Sequence, residues 1–179
     1  PDQAAHAAKR LGGPVVLKGT GLAHKTEHGA VRLGLAVDEV AEAAREIGTD
    51  TFLVEEMVTG AVAELLVGVT RDPAHGFVLT VAAGGVMTEV LHDSASLLVP
   101  ARETEVKQAL NSLNCAVLLS GYRGNPSADL QAIVAAVMTL QDYVVAHADR
   151  LEEVEINPLI CTPNAAIAAD ALIRTVLEE

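Results

Sequence analysis

The chain has 179 residues, 50% apolar and 2% aromatic, with 24 acidic against 12 basic side chains and a formal charge of −12. That length and apolar content suit one domain or two closely packed lobes with a core of Ala, Val, Leu and Ile, and they exclude a disordered chain. The acidic balance speaks against non-specific binding to nucleic acid or to anionic membrane; no apolar run reaches the ~18 residues of a transmembrane helix, and no signal peptide is visible.

Ala4, Ala7, Ala8 and Leu11 recur at helical spacing and predict a helix over residues 2–11. Gly12-Gly13-Pro14 ends it before a strand at Val15-Val16-Leu17. The chain enters this helix directly from Pro1 without an initiator Met, as a fragment of a longer protein would. Lys18 closes the strand and leads into a glycine-punctuated segment, residues 19–29, in which His24 and Lys25 stand side by side. A strand at 30–35 and a helix at 38–47, N-capped by Asp38, come next. Strands at 51–56, 63–70 and 76–82 follow, separated by Thr59-Gly60 and by Arg71-Asp72-Pro73. Gly84-Gly85 interrupts the pattern before an apolar segment from Met87 to Leu91, and a strand at 96–99 runs to Pro100. Val106, Leu110 and Leu113 form one stripe of a helix over 103–113; Ile133, Val137, Leu140 and Val144 do the same over 129–148. Strands and helices alternate without a repeat period, which predicts an α/β or α+β protein with mixed sheets. The boundary between lobes falls in the short connection from Met57 to Gly60, giving lobes 1–57 and 58–179.

The end of the chain carries the clearest chemistry. Side chains two apart on a strand share a face, so Glu155 and Asn157 point one way while Val154 and Ile156 point into a core. Residues 159–169 read as apolar run, turn and apolar run, a β-hairpin. A turn centred on Pro163-Asn164 sets Asn157 opposite Asp170, where Cβ atoms lie about 5 Å apart, close enough for both side chains to reach one Mg²⁺. The alternative is a solvated face of an edge hairpin.

Other candidates also have two readings. Lys18, at the mouth of a strand beside glycines, can neutralise a phosphate or simply be a solvated strand end; no Walker A motif is present. His24, beside the Lys25 cation, can be a phosphoryl acceptor or a surface residue. The main chain from Glu55 to Met57, where a buried strand leaves the sheet, can hold adenine, and Glu64 can bind ribose hydroxyls; the same residues also fit an edge strand with acidic capping. Gly84 and Gly85 form either a phosphate-contacting loop or a tight turn. His28, His75 and His92 have no metal spacing. Cys115 and Cys161 sit in apolar contexts without CxxC spacing and read as buried, reduced thiols of a cytoplasmic protein.

The order of these signals is more specific than any of them alone. Pro14-Val15-Val16-Leu17-Lys18, the His24-Lys25 loop, Glu55-Glu56-Met57-Val58, Gly84-Gly85, Gly121-Tyr122-Arg123-Gly124, Glu155-Ile156-Asn157-Pro158 and Asp170 together resemble the ATP-grasp domain of the NDP-forming acyl-CoA synthetases. The resemblance is of the type of the β subunit of ADP-forming acetate–CoA ligase, which is related to succinyl-CoA synthetase β. The resemblance implies an ATP-grasp fold of two lobes, residues 1–57 being the lid lobe, with the start of the domain missing. It implies that ATP or ADP binds with Mg²⁺. Lys18, Lys25, Gly29, Gly84 and Gly85 would serve the phosphates, Glu55 and Met57 adenine, and Glu64 ribose. Asn157 and Asp170, with Glu155 beside them, would hold the metal. His24 matches the relay histidine of the family, and a CoA-binding domain or subunit would be the partner, in an oligomeric full protein. The chain departs from the family at His28-Gly29-Ala30, where a glycine is replaced. It also has Leu97 and Leu172 at positions where an arginine is usual, two cations lost from the phosphate region. Those losses fit a second implication, a catalytically degenerate, ligand-sensing ATP-grasp domain of the kind fused to protein lysine acetyltransferases.

Overall fold

The computed structural model describes residues 1–20, 29–85 and 93–176. It divides into two units, Pro1–Val58 and Thr59–Glu179. The apolar segment expected from Met87 to Leu91 lies outside the described residues, as do His28 and His92.

The first unit contains α1 (Asp2–Leu11), β1 (Val15–Gly19), β2 (Val31–Leu35), α2 (Val40–Ile47) and β3 (Phe52–Glu56). α1 stops at Gly12, which takes φ 77° and returns its amide to the carbonyl of Ala8. The strands pair in the order β2-β1-β3, both pairings antiparallel. Small residues let the helices lie close: Ala4, Ala8, Ala43 and Ala44, with Val40, bury one face of the sheet through Val15 and Leu17. α2 begins at Val40 rather than after an Asp38 cap. The side chain of Glu39 turns back to accept from the Ala36 amide at 2.8 Å, closing a separate turn ahead of the helix.

The second unit contains β4 (Ala63–Asp72), β5 (Gly76–Ala83), β6 (Ser94–Leu98), α3 (Glu103–Ser112), α4 (Ala116–Leu119), α5 (Leu130–Ala146), β7 (Leu151–Cys161), β8 (Ala166–Ala168) and β9 (Ala171–Thr175). Strand order is β6-β5-β4-β7-β8, with β9 also on β7. Every described pairing is antiparallel, so of the two classes the sequence leaves open the chain is α+β. Asp129 caps α5, its carboxylate accepting from the Ala132 amide at 3.0 Å. Arg71 locks the exit of α5, donating to the carbonyl oxygens of Leu151 and Ala148 and stacking over Phe77.

Strand alternation gives this sheet two unlike faces. Leu65, Val67 and Val69 of β4, Leu79 and Val81 of β5, and Val154 of β7 are buried against Val106, Leu110, Ile133, Val137 and Val144 of the helices. Each fully buried Leu or Val is worth about 2 kcal/mol relative to exposure. The neighbouring positions face away from the helices: Glu64, Gly68 and Thr70; Thr80, bonded to Ser96 at 3.3 Å; and Glu153, Glu155 and Asn157. No helix among the described residues is long and apolar enough to cross a membrane.

Candidate functional site

The hairpin closes in the expected register. Thr162 and Ala165 bracket the Pro163-Asn164 turn through a 2.9 Å backbone bond. Leu159 pairs with Ala168 and Ile156 with Ala171, and between those pairs the Asn157 amide donates to the Asp170 carbonyl at 3.1 Å. Opposite β4, Ile156 pairs with Val67 but Leu159 with Leu65, so β7 holds one extra residue around Asn157-Pro158. Such a bulge re-aims the side chains beside it. Glu155 and Asn157 share the face away from the helices, the Asn157 amide donating to Glu155 Oε1 at 3.3 Å. Glu155 lies over Gly68, where an added Cβ would sit 3.7 Å from its carboxylate.

The donor set suits a hard cation. Glu155, Asn157 and Asp170 offer only oxygen, and Mg²⁺ is ordinarily held by one or two carboxylates with the remaining positions filled by water and phosphate. No group of three His, Cys, Asp or Glu side chains among the described residues makes a closed metal cage. An open set of two carboxylates and an amide is what remains, and it fits a metal that arrives with a nucleotide.

Glu64, Gly84 and Gly85 come together at the other end of the same face. The Gly84 amide donates to the Glu64 carbonyl at 2.7 Å. A Cβ on Gly84 would meet the Glu64 carbonyl carbon and oxygen at 2.8 Å. Gly85 takes φ 78°, and a Cβ there would stand 3.5 Å from Glu64 Oε2. The glycines let the chain pass directly over Glu64.

Asp93, which sequence reasoning missed, holds the far side of this loop. Only 5% exposed, it accepts from the amides of Asn114 at 2.7 Å and Cys115 at 2.8 Å and from Asn114 Nδ2 at 3.1 Å, while its own carbonyl takes the Ala83 amide. Burial opposes its charge, but the Asn114 and Cys115 donors prevail and hold its carboxyl below the usual carboxylate value. Because the folded value is depressed, its stabilisation is complete above about pH 4 and is lost as pH falls through the lower folded value. Asp93→Asn is expected to cost about 2 kcal/mol at neutral pH and to flatten this acid limb. Urea midpoints followed from pH 7 to pH 3 check it; an unchanged pH dependence would contradict the assignment. Burial also pushes the thiols up, Cys115 to about 11 and Cys161 to about 12, so neither supplies a nucleophile at neutral pH. Cys161 is buried and Cys115 half-buried, both free.

In the first unit Lys18 is no solvated strand end. It is 7% exposed, on the sheet face opposite the helix-covered Leu17, and its ammonium lies 2.7 Å from the Glu55 carboxylate. Exposed Leu33 and Leu53 share this helix-free face by strand alternation and register. Glu55 therefore contributes a side-chain counter-ion where the sequence suggested main-chain contact alone. The Met57 amide is committed to the Pro14 carbonyl at 3.0 Å. By antiparallel alternation the backbone groups of Val54 and Glu56 are the ones on the outer edge of β3. Gly29 takes φ 64°, and Arg32, another residue the sequence did not single out, donates to its carbonyl. His24 and Lys25 lie outside the described residues.

Leu172 stands opposite Glu155 on the helix-free face, 49% exposed. Leu97 does not face that way. It pairs with Leu79 and packs into the helix-side core, so the placement of position 97 in the phosphate region is corrected, while Leu172 lies on the same face as Glu155.

Two antiparallel sheets, each covered on one side by its own helices and with no described helix on the other, define a two-unit α+β protein. A model of the ATP-grasp domain matches residues 1–175, and the chain belongs to that family. It is similar to a dinucleotide-forming acetyl-coenzyme A synthetase 1 from Ca. Korarchaeum cryptofilum, solved with coenzyme A, Ca-AMPCP and HgCl⁺. The TM-score is 0.88 and identity 28%, over 98% of this chain and 82% of that one. It is 26% identical to the acetate–CoA ligase [ADP-forming] II subunit beta of Pyrococcus furiosus, over 96% of this chain and 79% of the relative. A trans-feruloyl-CoA synthase from an unknown prokaryotic organism is 33% identical over 96% of this chain. The chain spans only 26% of that relative and 25% of the acetate–CoA ligase [ADP-forming] I of Archaeoglobus fulgidus.

Proposed function

We propose that the chain is the nucleotide-binding domain of an ADP-forming acyl-CoA synthetase. Within the complete protein it would serve the reaction acyl-CoA + ADP + phosphate ⇌ acid + CoA + ATP. The observation that carries this reading is the convergence of Glu64, Glu155 and Asn157, with Asp170 opposite Asn157, on one helix-free sheet face of a chain whose relatives bear that activity in their names. A CoA-binding domain or subunit is the partner the reaction needs; β subunits of two P. furiosus ligases are among the relatives, and the Korarchaeum synthetase was solved with coenzyme A.

The roles follow from the chemistry of the side chains. In a chain of charge −12, an anionic nucleotide needs local positive charge, and Lys18, held by Glu55, is buried at such a point. Glu64 takes the ribose hydroxyls, the outer edge of β3 reads adenine, and Gly84 and Gly85 allow close approach of phosphate. Lys25 and Gly29 would serve phosphate by the family resemblance. Asn157, Asp170 and Glu155 would hold Mg²⁺, whose charge would offset that of the phosphates. Phosphoryl transfer from a phosphohistidine to ADP breaks one N–P bond, forms one O–P bond at the β-phosphate and returns a proton to the imidazole. Positioning and charge neutralisation supply most of the rate. A second Korarchaeum structure, with Mg-AMPPCP, has its phosphohistidine segment pointing towards the nucleotide site.

His24 is the residue of this chain assigned to that relay. The complete protein incubated with labelled ATP is expected to give an acid-labile phosphoprotein, which His24→Ala reduces at least about tenfold. Equal labelling of the variant would refute the relay role. One observation favours a degenerate, ligand-sensing domain of an acetyltransferase fusion: Leu172 occupies the face beside Glu155 where a phosphate-binding cation would be useful. Turnover of acyl-CoA, ADP and phosphate to ATP by the complete protein separates the two.

A further inference from the structure

The helix-free face of the second unit carries a ladder of cross-strand pairs between β7 and its partner: Asn157 with Asp170, Glu155 with Leu172, and Glu153 with Arg174. Its side chains are acidic or neutral except one. The remaining arginine of this sheet, Arg71, projects to the opposite face and is used up on the carbonyls of Leu151 and Ala148. Arg174 is thus the cation that the register places on the same face as the metal-type donors. The geometry points to Arg174 as a phosphate-binding residue of this face, contacting the terminal phosphate oxygens of a bound nucleoside di- or triphosphate. The inference rests on the nucleotide reading above and adds to it a residue which neither motif nor resemblance singled out.

Three features support the role. Residues two apart on a strand are separated by about 7 Å, so Arg174 stands one pleat beyond Leu172, within the span of an extended arginine side chain from the space above it. Arg174 is poised but not committed: its guanidinium meets Glu153 Oε2 at 3.1 Å with 62% of its side chain exposed. An exposed pair of this kind is worth roughly 0–1 kcal/mol, whereas a charge-assisted bond from guanidinium to phosphate is among the strong ones. Exchange of Glu153 for phosphate is therefore downhill. Leu172 completes the argument, because between Arg174 and Glu155 it offers no competing hydrogen-bond donor and no carboxylate to hold the arginine back. Glu153 would act as its resting counter-ion, keeping the guanidinium on this face when no nucleotide is bound.

The test uses the complete protein and calorimetric titration of ADP and of AMP in the presence of Mg²⁺. Arg174→Ala is expected to weaken ADP about tenfold and AMP hardly at all, since AMP lacks the phosphates that Arg174 would contact. Arg174→Lys should recover part of the loss, and Glu153→Gln, which releases the arginine, should leave ADP binding equal or tighter. ADP affinity unchanged in Arg174→Ala, with the wild type binding normally, would overturn this assignment alone. Equal weakening of ADP and AMP would overturn it too, by marking a merely structural role. A wild-type protein that binds no ADP would overturn the nucleotide reading and this residue's role with it.

Discussion

Asp170→Ala is expected to weaken Mg²⁺-dependent ADP binding by roughly 100-fold while leaving the thermal midpoint within about 2 °C of the wild type. Asp170 follows β8 and precedes β9, where its carboxylate accepts the Ala171 amide at 3.0 Å and its carbonyl takes the Asn157 amide. The backbone bond survives the substitution, so the hairpin keeps its register. What disappears is one of the two carboxylates assigned to the cation, leaving Glu155 and the side-chain amide of Asn157. Asn157→Ala should act in the same direction but less strongly, because it removes a neutral donor. Titration of ADP at fixed free Mg²⁺ is the measurement, and an Asp170→Ala protein with wild-type affinity would remove the metal from this hairpin.

Gly84→Val is expected to cost about 3 kcal/mol of stability and to abolish nucleotide binding even where the protein still folds. The constraint is space alone, since Gly84, unlike Gly85, does not use a left-handed backbone. A Cβ at this position would sit 2.8 Å from the Glu64 carbonyl and 2.9 Å from the Leu65 amide nitrogen, and these are backbone atoms of a central strand, unable to step aside as a flexible side-chain end could. Either β4 or the loop must move, and Glu64 moves with it. Denaturant unfolding with a parallel ADP titration reads both effects; a valine variant as stable and as tightly binding as the wild type would show the loop packed elsewhere.

The parts of the fold that were legible in the sequence are those set by local rules. Alanine spacing in α1, the glycine stop at Gly12 and the apolar stripes of α3 and α5 are read within a few residues. The β7 hairpin register was legible because Pro163-Asn164 fixes a turn and the apolar runs on either side permit few alternatives. What escaped depends on partners far along the chain. Asp93 looks like a polar residue before a strand until Asn114 and Cys115 are brought to it across some twenty positions. The Glu55 carboxylate becomes a partner of Lys18 only once β1 and β3 pair. Leu97 matches a family arginine by position alone, and only its pairing with Leu79 shows that it faces the helix-side core. α4 spans one turn, too short for any periodicity to show.

The central claim is that the helix-free face carrying Glu64, Glu155, Asn157 and Asp170 binds a magnesium nucleotide. Calorimetric titration of ADP into the complete wild-type protein, with Mg²⁺ and again with excess EDTA, tests it most directly. Binding in the first titration that is lost at least about tenfold in the second is the predicted result; equal affinity with and without the metal, or no binding in either, would contradict it.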